Sequence, residues 1–354
     1  MDPDEGPARM LSGTSVASGG GAGPWELGGG GGYAAELLAD PGRCLEQLMH
    51  AKLAAAPCGV PAPGGAFPAW EWRGAVRPSG GEETLRAVGR ARWARSGEAP
   101  YAAVVEVAFR GSRNMENWLS NLDARLAASE LGARHGRVHR GFQAAYLALR
   151  PGVLAMVEDS LLTLGVHAGA RVLALVTGHS LGGALATFAA YDLSSLGRYS
   201  ARCATWGSPR VGDADFAASY AARVPLSARF VNKFDVTPGI PFNPADEQDD
   251  DSGAVLPRPV KSLLHAVLWK PQERLGIGGP RYQHVCRSTV LNPGADSEAY
   301  LRTCGTAALQ GQGSKAFLQF HRIGAYGESL ARLWGVGAAA RAGNSAGEQQ
   351  AAPN

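Results

Sequence analysis

Hydrophobic positions in this chain gather into short unbroken runs, and helix-like spacing fills the intervals between them. Residues 101–109 (YAAVVEVAF) and 171–176 (RVLALV) are apolar almost throughout and rich in valine, the pattern of strands buried on both faces. Residues 201–206 and 228–234 read as two further strands. Helical spacing appears at 34–56, where Leu45, Leu48, Met49 and Leu53 fall on one face, and at 142–149, 153–164, 182–196, 213–223 and 316–334. Leu85, Val88 and Ala91 lead to a turn near Ser96-Gly97-Glu98, and residues 61–81 read as a loop. Strands alternating with helices predict an α/β architecture, a central, mostly parallel sheet flanked by helices. Residues 1–32, rich in Gly and Ser, and residues 336–354 are expected to be disordered tails around one domain at 33–335.

Composition narrows this little. The 354 residues include 48 glycines and 22 prolines without a three-residue period, which excludes collagen, and the 45% hydrophobic content is that of a globular protein. Net charge is +3 with scattered basic residues, so nucleic acid is not an expected partner. The five cysteines form no C-x-x-C pair, so a zinc cluster is not expected; Cys44 with Cys58 and Cys286 with Cys304 remain pairings open to an oxidising compartment. The acidic start, Met1 to Glu5, precedes no apolar core of a signal peptide, and no run of 18 apolar residues occurs. A cytoplasmic or membrane-peripheral protein with no transmembrane segment is the resulting expectation.

The abundance of glycine makes G-x-S-x-G cheap to meet by chance, and the chain holds it twice, around Ser180 and around Ser345. Only the first follows a strand and opens a helix. A nucleophilic serine needs that strand–turn–helix setting, which raises its hydroxyl above the sheet edge beside a helix N-terminus. Ser180 is therefore the candidate nucleophile, and Ser345 lies in a tail. A base and an orienting carboxylate must follow in the order Ser, Asp or Glu, His. Asp235 emerges directly after the 228–234 run, with Pro238 and Pro241 shaping the next turn, whereas the acidic run 246–251 lacks calcium-ligand spacing and reads as a solvated loop. Three histidines follow: His265, His284 and His321. His139 and His179 read as satisfied core or turn histidines.

With these residues placed, the chain resembles the class 3 lipases, the fungal lipase-like family of the α/β-hydrolase fold, and its plant and algal members most. The resemblance rests on AFRGSRNMENWLSNL from Ala108, VHRGFQAAY from Val138, VTGHSLGGALATFAA from Val176, WGSPRVGDADF from Trp206 and RFVNKFDVTPGIP from Arg229, and spans about residues 80–330. It implies that His321, in the H-x-x-x-Y-like stretch ending at Tyr326, is the base. Phe320 stands where the family usually has Asp, and the long gap from Asp235 points to inserted loops at 244–280 and 293–315. It further implies an oxyanion hole built by Ser112 and the backbone of Leu181, and a short lid bearing Met115, Trp118 and Leu119, with core packing of Trp118 as the alternative. No cofactor or metal is implied. The implied activity is hydrolysis of carboxylic esters of lipids, acylglycerols above all, at a membrane or lipid-droplet surface. A phospholipase A1 or galactolipase with the same triad is the alternative, and a catalytically silent lipase-like signalling protein is another.

Overall fold

The structure is a computed structural model that describes residues 25–27, 32–55, 70–76, 83–111, 124–132, 136–241, 282–292, 294 and 318–335. In chain order its elements are β1 (Trp25–Leu27), α1 (Gly32–Ala39), α2 (Pro41–Ala55), β2 (Trp70–Val76), β3 (Glu83–Trp93), β4 (Ala103–Phe109), β5 (Leu126–Ala128), β6 (Arg137–His139), α3 (Arg140–Thr163), β7 (Val172–His179), α4 (Leu181–Ser195), β8 (Tyr199–Trp206), α5 (Ala214–Arg223), β9 (Ser227–Asn232), β10 (Ser288–Leu291) and α6 (Ile323–Leu333). Eight strands form one sheet in the order β1-β10-β9-β8-β7-β4-β3-β2, and β5 pairs with β6 beside it. The run from β10 to β4 is parallel, with antiparallel pairs at the two edges. The expected mostly parallel sheet flanked by helices is what forms.

Strand periodicity divides the core. Val105, Val107 and Phe109 of β4 face α3, α4 and α5, meeting Phe142, Tyr146, Leu185, Phe188 and Phe216. On the other face Ala108 meets Ala54 of α2, and Trp206 and Phe230 meet Tyr33 and Leu37 of α1, Leu48 of α2, and Tyr326 and Leu330 of α6. Among the described residues no helix is long and apolar enough to cross a membrane. Cys44, Cys203 and Cys286 are free thiols, and burial pushes those of Cys44 and Cys203 up to about 12.

Several elements differ from the sequence expectation. The stretch 34–56 is two helices: Asp40 interrupts it and caps the second, its Oδ1 accepting from Arg43 N at 3.0 Å, with Pro41 at the first helical position. The buried face of α2 carries Cys44, Gln47, Leu48, His50, Ala51 and Ala54, while Leu45 and Met49 are exposed. Residues 142–149 and 153–164 are one helix with Pro151 inside it. An internal proline costs about 3 kcal/mol, but Tyr146, Leu149, Val153 and Val157 are buried on both sides of it and keep the helix continuous. The loop expected at 61–81 contains β2, and the expected N-terminal tail contains β1, paired with β10. The 316–334 helix begins only at Ile323, after a turn at 318–322.

The polar face of α2 has a cause in β4. Glu106, the one charge in the valine-rich run, is buried and points at α2. Its Oε2 accepts from Arg90 Nε at 2.5 Å and its Oε1 from Arg92 Nε at 3.0 Å, while Arg90 Nη2 reaches Glu46 at 2.5 Å and His50 Nε2 lies 3.8 Å from Glu106. Burial raises the Glu106 pKa, but Arg90, His50 and Arg92 outweigh it, so the carboxyl ionises below its ordinary range. A depressed carboxylate contributes stability above its unfolded pKa and loses it as pH falls through the folded one. Glu106→Gln is therefore expected to lower the unfolding free energy by about 3 kcal/mol at pH 7, measured by urea unfolding, with the deficit narrowing on acidification. A deficit below about 1 kcal/mol, the range of surface pairs, would contradict this reading.

Candidate active site

Strand β7 ends at His179 and α4 begins at Leu181, which leaves Ser180 alone in the joint between them. Its backbone sits at φ 61° and ψ −129°, and among the described residues it is the only non-glycine with positive φ. Such a conformation costs about 1–3 kcal/mol and survives only where the surroundings enforce it. Here Ser180 N donates to Trp206 O at 3.0 Å, and Gly183 N donates to Ser180 O at 2.8 Å. Glycine is required on both sides of the joint. A Cβ on residue 178 would lie 2.0 Å from Gly182 O, and one on residue 182 would lie 2.1 Å from Phe109 O. Leu181 opens α4, so its N–H has no intrahelical acceptor and stands at the positive end of the helix dipole.

Asp235 arrives from β9, which β8 separates from β7 in the sheet. β9 stops at Asn232, and a tight turn, closed by Asp235 N to Asn232 O at 2.9 Å, lifts Asp235 off the sheet edge. Its carboxylate is fully buried. His321 Nδ1 lies 3.0 Å from Oδ1 and 2.8 Å from Oδ2, the Tyr326 hydroxyl donates to Oδ2 at 2.6 Å, and Thr237 N donates to Oδ1 at 2.9 Å. Burial alone would raise its pKa. The His321 charge and these donors prevail, and the group ionises below the usual Asp range.

A carboxylate only accepts, so His321 Nδ1 carries the proton of the neutral ring and Nε2 is left with a lone pair. Nε2 is buried with no hydrogen-bond partner. The ring lies beside the same backbone that holds Ser180: Trp206 O binds Ser180 N, and at Gly207, the next residue, a Cβ would lie 3.0 Å from His321 Nδ1 and 2.6 Å from Asp235 Oδ2. Gly207 also has φ +58°. Ser180 follows β7 and Asp235 follows β9 at the C-terminal edge of the parallel strands, and His321 touches both segments, through Asp235 and through the ring of His179, 4.6 Å from its own. A hydroxyl on a strained turn, a base with a free lone pair and a buried anion that stabilises the imidazolium form the set needed for acyl transfer.

The other expected residues divide by position. Ser112, Met115, Trp118 and Leu119 lie outside the described residues, as do Ser345, His265 and the acidic run 246–251. Gly111, the residue before Ser112, does lie at the site, where a Cβ would come within 3.3 Å of Ser180 Cβ. His284 is held away from the base position by a 2.8 Å contact of its Nε2 with Pro238 O. His139 caps α3, its Nδ1 accepting from Phe142 N at 3.3 Å. His179 is half-buried, with Nε2 2.5 Å from His321 O. Among the described residues the one grouping with metal-ligand chemistry is Glu46, His50 and Glu106, whose carboxylates already pair with Arg90 and Arg92.

Three contributors escaped the sequence reading. Tyr326 gives Asp235 its shortest hydrogen bond. Asn232 Nδ2 donates to Phe320 O at 2.9 Å and anchors the turn before His321. Arg210 is fully buried, and its Nη1 donates to Gly239 O at 2.7 Å and Pro241 O at 2.8 Å, clamping the chain that leaves Asp235. The available signals were the tyrosine five residues after His321 and an arginine inside an otherwise apolar turn.

The family model described as Lipase (class 3) matches residues 106–245. Among similar proteins, a lipase of Rhizomucor miehei is 33% identical over 141 residues, 39% of this chain and 37% of that protein. The secreted mono- and diacylglycerol lipase A of Penicillium cyclopium is 32% identical over 141 residues, 40% of this chain and 44% of its own length. The chloroplastic phospholipase A(1) DAD1 of Arabidopsis thaliana is 28% identical over 181 residues, 47% of this chain and 40% of that protein. The chain therefore spans less than half the length of the curated relatives it matches. Fungal and plant proteins stand at comparable identity.

Tyr326→Phe removes a donor to a buried anion and is expected to lower stability by about 1.5–3 kcal/mol at pH 7. Because Asp235 is held below its ordinary pKa, the loss should shrink as pH falls below about 4. Urea titrations of both proteins across pH 3 to 7 measure it; a difference independent of pH would contradict the role assigned to the hydroxyl.

Proposed function

With residues 106–245 belonging to the class 3 lipase family, we propose that the protein hydrolyses carboxylic esters of lipids through an acyl-enzyme on Ser180. The observation that carries this reading is the pairing of His321 Nδ1 with buried Asp235, which leaves Nε2 unpartnered while the ring stacks on His179, the residue before strained Ser180. His321 Nε2 takes the Ser180 hydroxyl proton as Oγ attacks the ester carbonyl. The Leu181 N–H, joined by Ser112, receives the negative charge on the carbonyl oxygen. His321 then gives its proton to the departing alcohol, and a water molecule, deprotonated by the same nitrogen, releases the fatty acid and restores Ser180. Asp235 remains ionised and offsets the imidazolium charge in both halves. The chemistry needs no cofactor or metal.

Acylglycerols are the proposed substrate class, which the fungal relatives' names support, and the substrate is met at a membrane or lipid-droplet surface, with Met115, Trp118 and Leu119 on a lid. Phospholipids cleaved at an acyl ester are the second reading, supported by the plant relative's name. A panel of tri-, di- and monoacylglycerols, phosphatidylcholine and galactolipids tests both. Ser180→Ala should reduce turnover by a factor on the order of 10⁶, while Ser345→Ala leaves it unchanged. Equal losses in the two variants, or hydrolysis that persists in Ser180→Ala, would overturn the assignment.

A further inference from the structure

His321 belongs to no helix or strand. It closes a turn at 318–322, just before α6, and its position depends on what holds that turn. On one side Asn232 fixes Phe320 O, and the side chain is fixed by Asp235. His321 N donates to Leu318 O at 3.0 Å within the turn, and its own carbonyl meets Nε2 of His179 at 2.5 Å. A carbonyl only accepts, so His179 carries its proton on Nε2 and donates. The two imidazoles lie face to face at a tilt, 4.6 Å between centroids. His179 is the last residue of β7 and the immediate neighbour of Ser180. A single hydrogen bond therefore ties the element that carries the nucleophile to the turn that carries the base.

We propose that His179 is a positioning residue, which holds the His321 carbonyl and thereby sets the approach of His321 Nε2 to Ser180. This rests on the serine-hydrolase reading above. Burial, reinforced by the nearby His321, pushes the His179 pKa down to about 3, so it stays neutral while His321 gains a proton during each cycle. A charged partner at 4.6 Å would oppose that protonation, and a neutral donor does not. The sequence placed His179 beside Ser180 but gave no sign of its reach to residue 321, which is a long-range contact.

The test compares His179→Phe, which keeps a flat ring but loses the donor, with His179→Gln, whose amide nitrogen reaches the same place as Nε2. Sites are counted by fluorophosphonate titration, and kcat is expressed per titrated site, so that loss of folded protein does not register as loss of turnover. For His179→Phe, kcat per site should fall by about tenfold or more with KM within about twofold, since sub-ångström misplacement of a catalytic group is enough for such a loss. His179→Gln should retain at least about a third of wild-type kcat by the same geometric argument. Should His179→Phe fail to fold, His179→Asn, one methylene too short to reach the carbonyl, takes its place against His179→Gln with the same ordering expected. An unchanged kcat per site in the donor-less variant, or equal losses with and without the donor, would overturn the proposal. Wild-type protein that neither hydrolyses lipid esters nor reacts with the probe would instead overturn the underlying reading.

Discussion

Burying an ionised carboxylate away from water carries a penalty of several kcal/mol, and Asp235 is buried completely. It stays charged because three donors converge on it from separate parts of the chain: the 318–322 turn through His321, α6 through Tyr326 and the chain after β9 through Thr237. The neighbouring elements are built to allow this convergence. Gly207 has no side chain because a Cβ would occupy the space of Asp235 Oδ2. Arg210 clamps the carbonyls of Gly239 and Pro241, which fixes the exit of the chain from Asp235. The α1–α2 pair, outside the segment matched by the family, packs Tyr33, Leu37 and Leu48 into the same cluster as Trp206, Tyr326 and Leu330. The second face of the sheet is thereby the rear wall of the site.

The same edge stores strain at Ser180. Backbone angles that a serine rarely adopts are enforced by two hydrogen bonds and by the contact of Gly178 with Gly182. Strain at Ser180 and desolvation at Asp235 both work against folding, and both are held by the buried sheet beneath them. Such a trade of stability for preorganisation is what a site for acyl transfer requires.

Parts of this were legible in the sequence because they are local. The valine-rich run of β7, two glycines and a helix of small residues specify the joint at Ser180 within a few positions, and Asp235 stands directly after an apolar strand. His321 was different: three histidines satisfied the chain order, and the resemblance to a family separated them. Asn232 and Arg210 act through contacts distant in sequence, so no spacing rule points to them, and the spacing that marks Tyr326 gives no sign of its bond to Asp235. The buried face of α2 differs because its hydrophobic pattern favours Leu45 and Met49, whereas the sheet beneath presents Glu106, which His50 faces. The two helical stretches at 142–149 and 153–164 are one helix because packing on either side of Pro151 carries it through. The strands β1 and β2 lie at the two sheet edges, each with one neighbour, in stretches rich in glycine and proline.

The central claim is that Ser180 is the atom acylated and that His321, oriented by Asp235, serves it. A crystal structure of the protein after reaction with a long-chain alkyl phosphonate tests this most directly. The account predicts a covalent bond from phosphorus to Ser180 Oγ, a phosphonate oxygen within hydrogen-bond reach of Leu181 N, and His321 Nε2 turned to the leaving-group side with its Asp235 contact intact. Phosphonate on another residue, or a His321 detached from Asp235 in the complex, would contradict it.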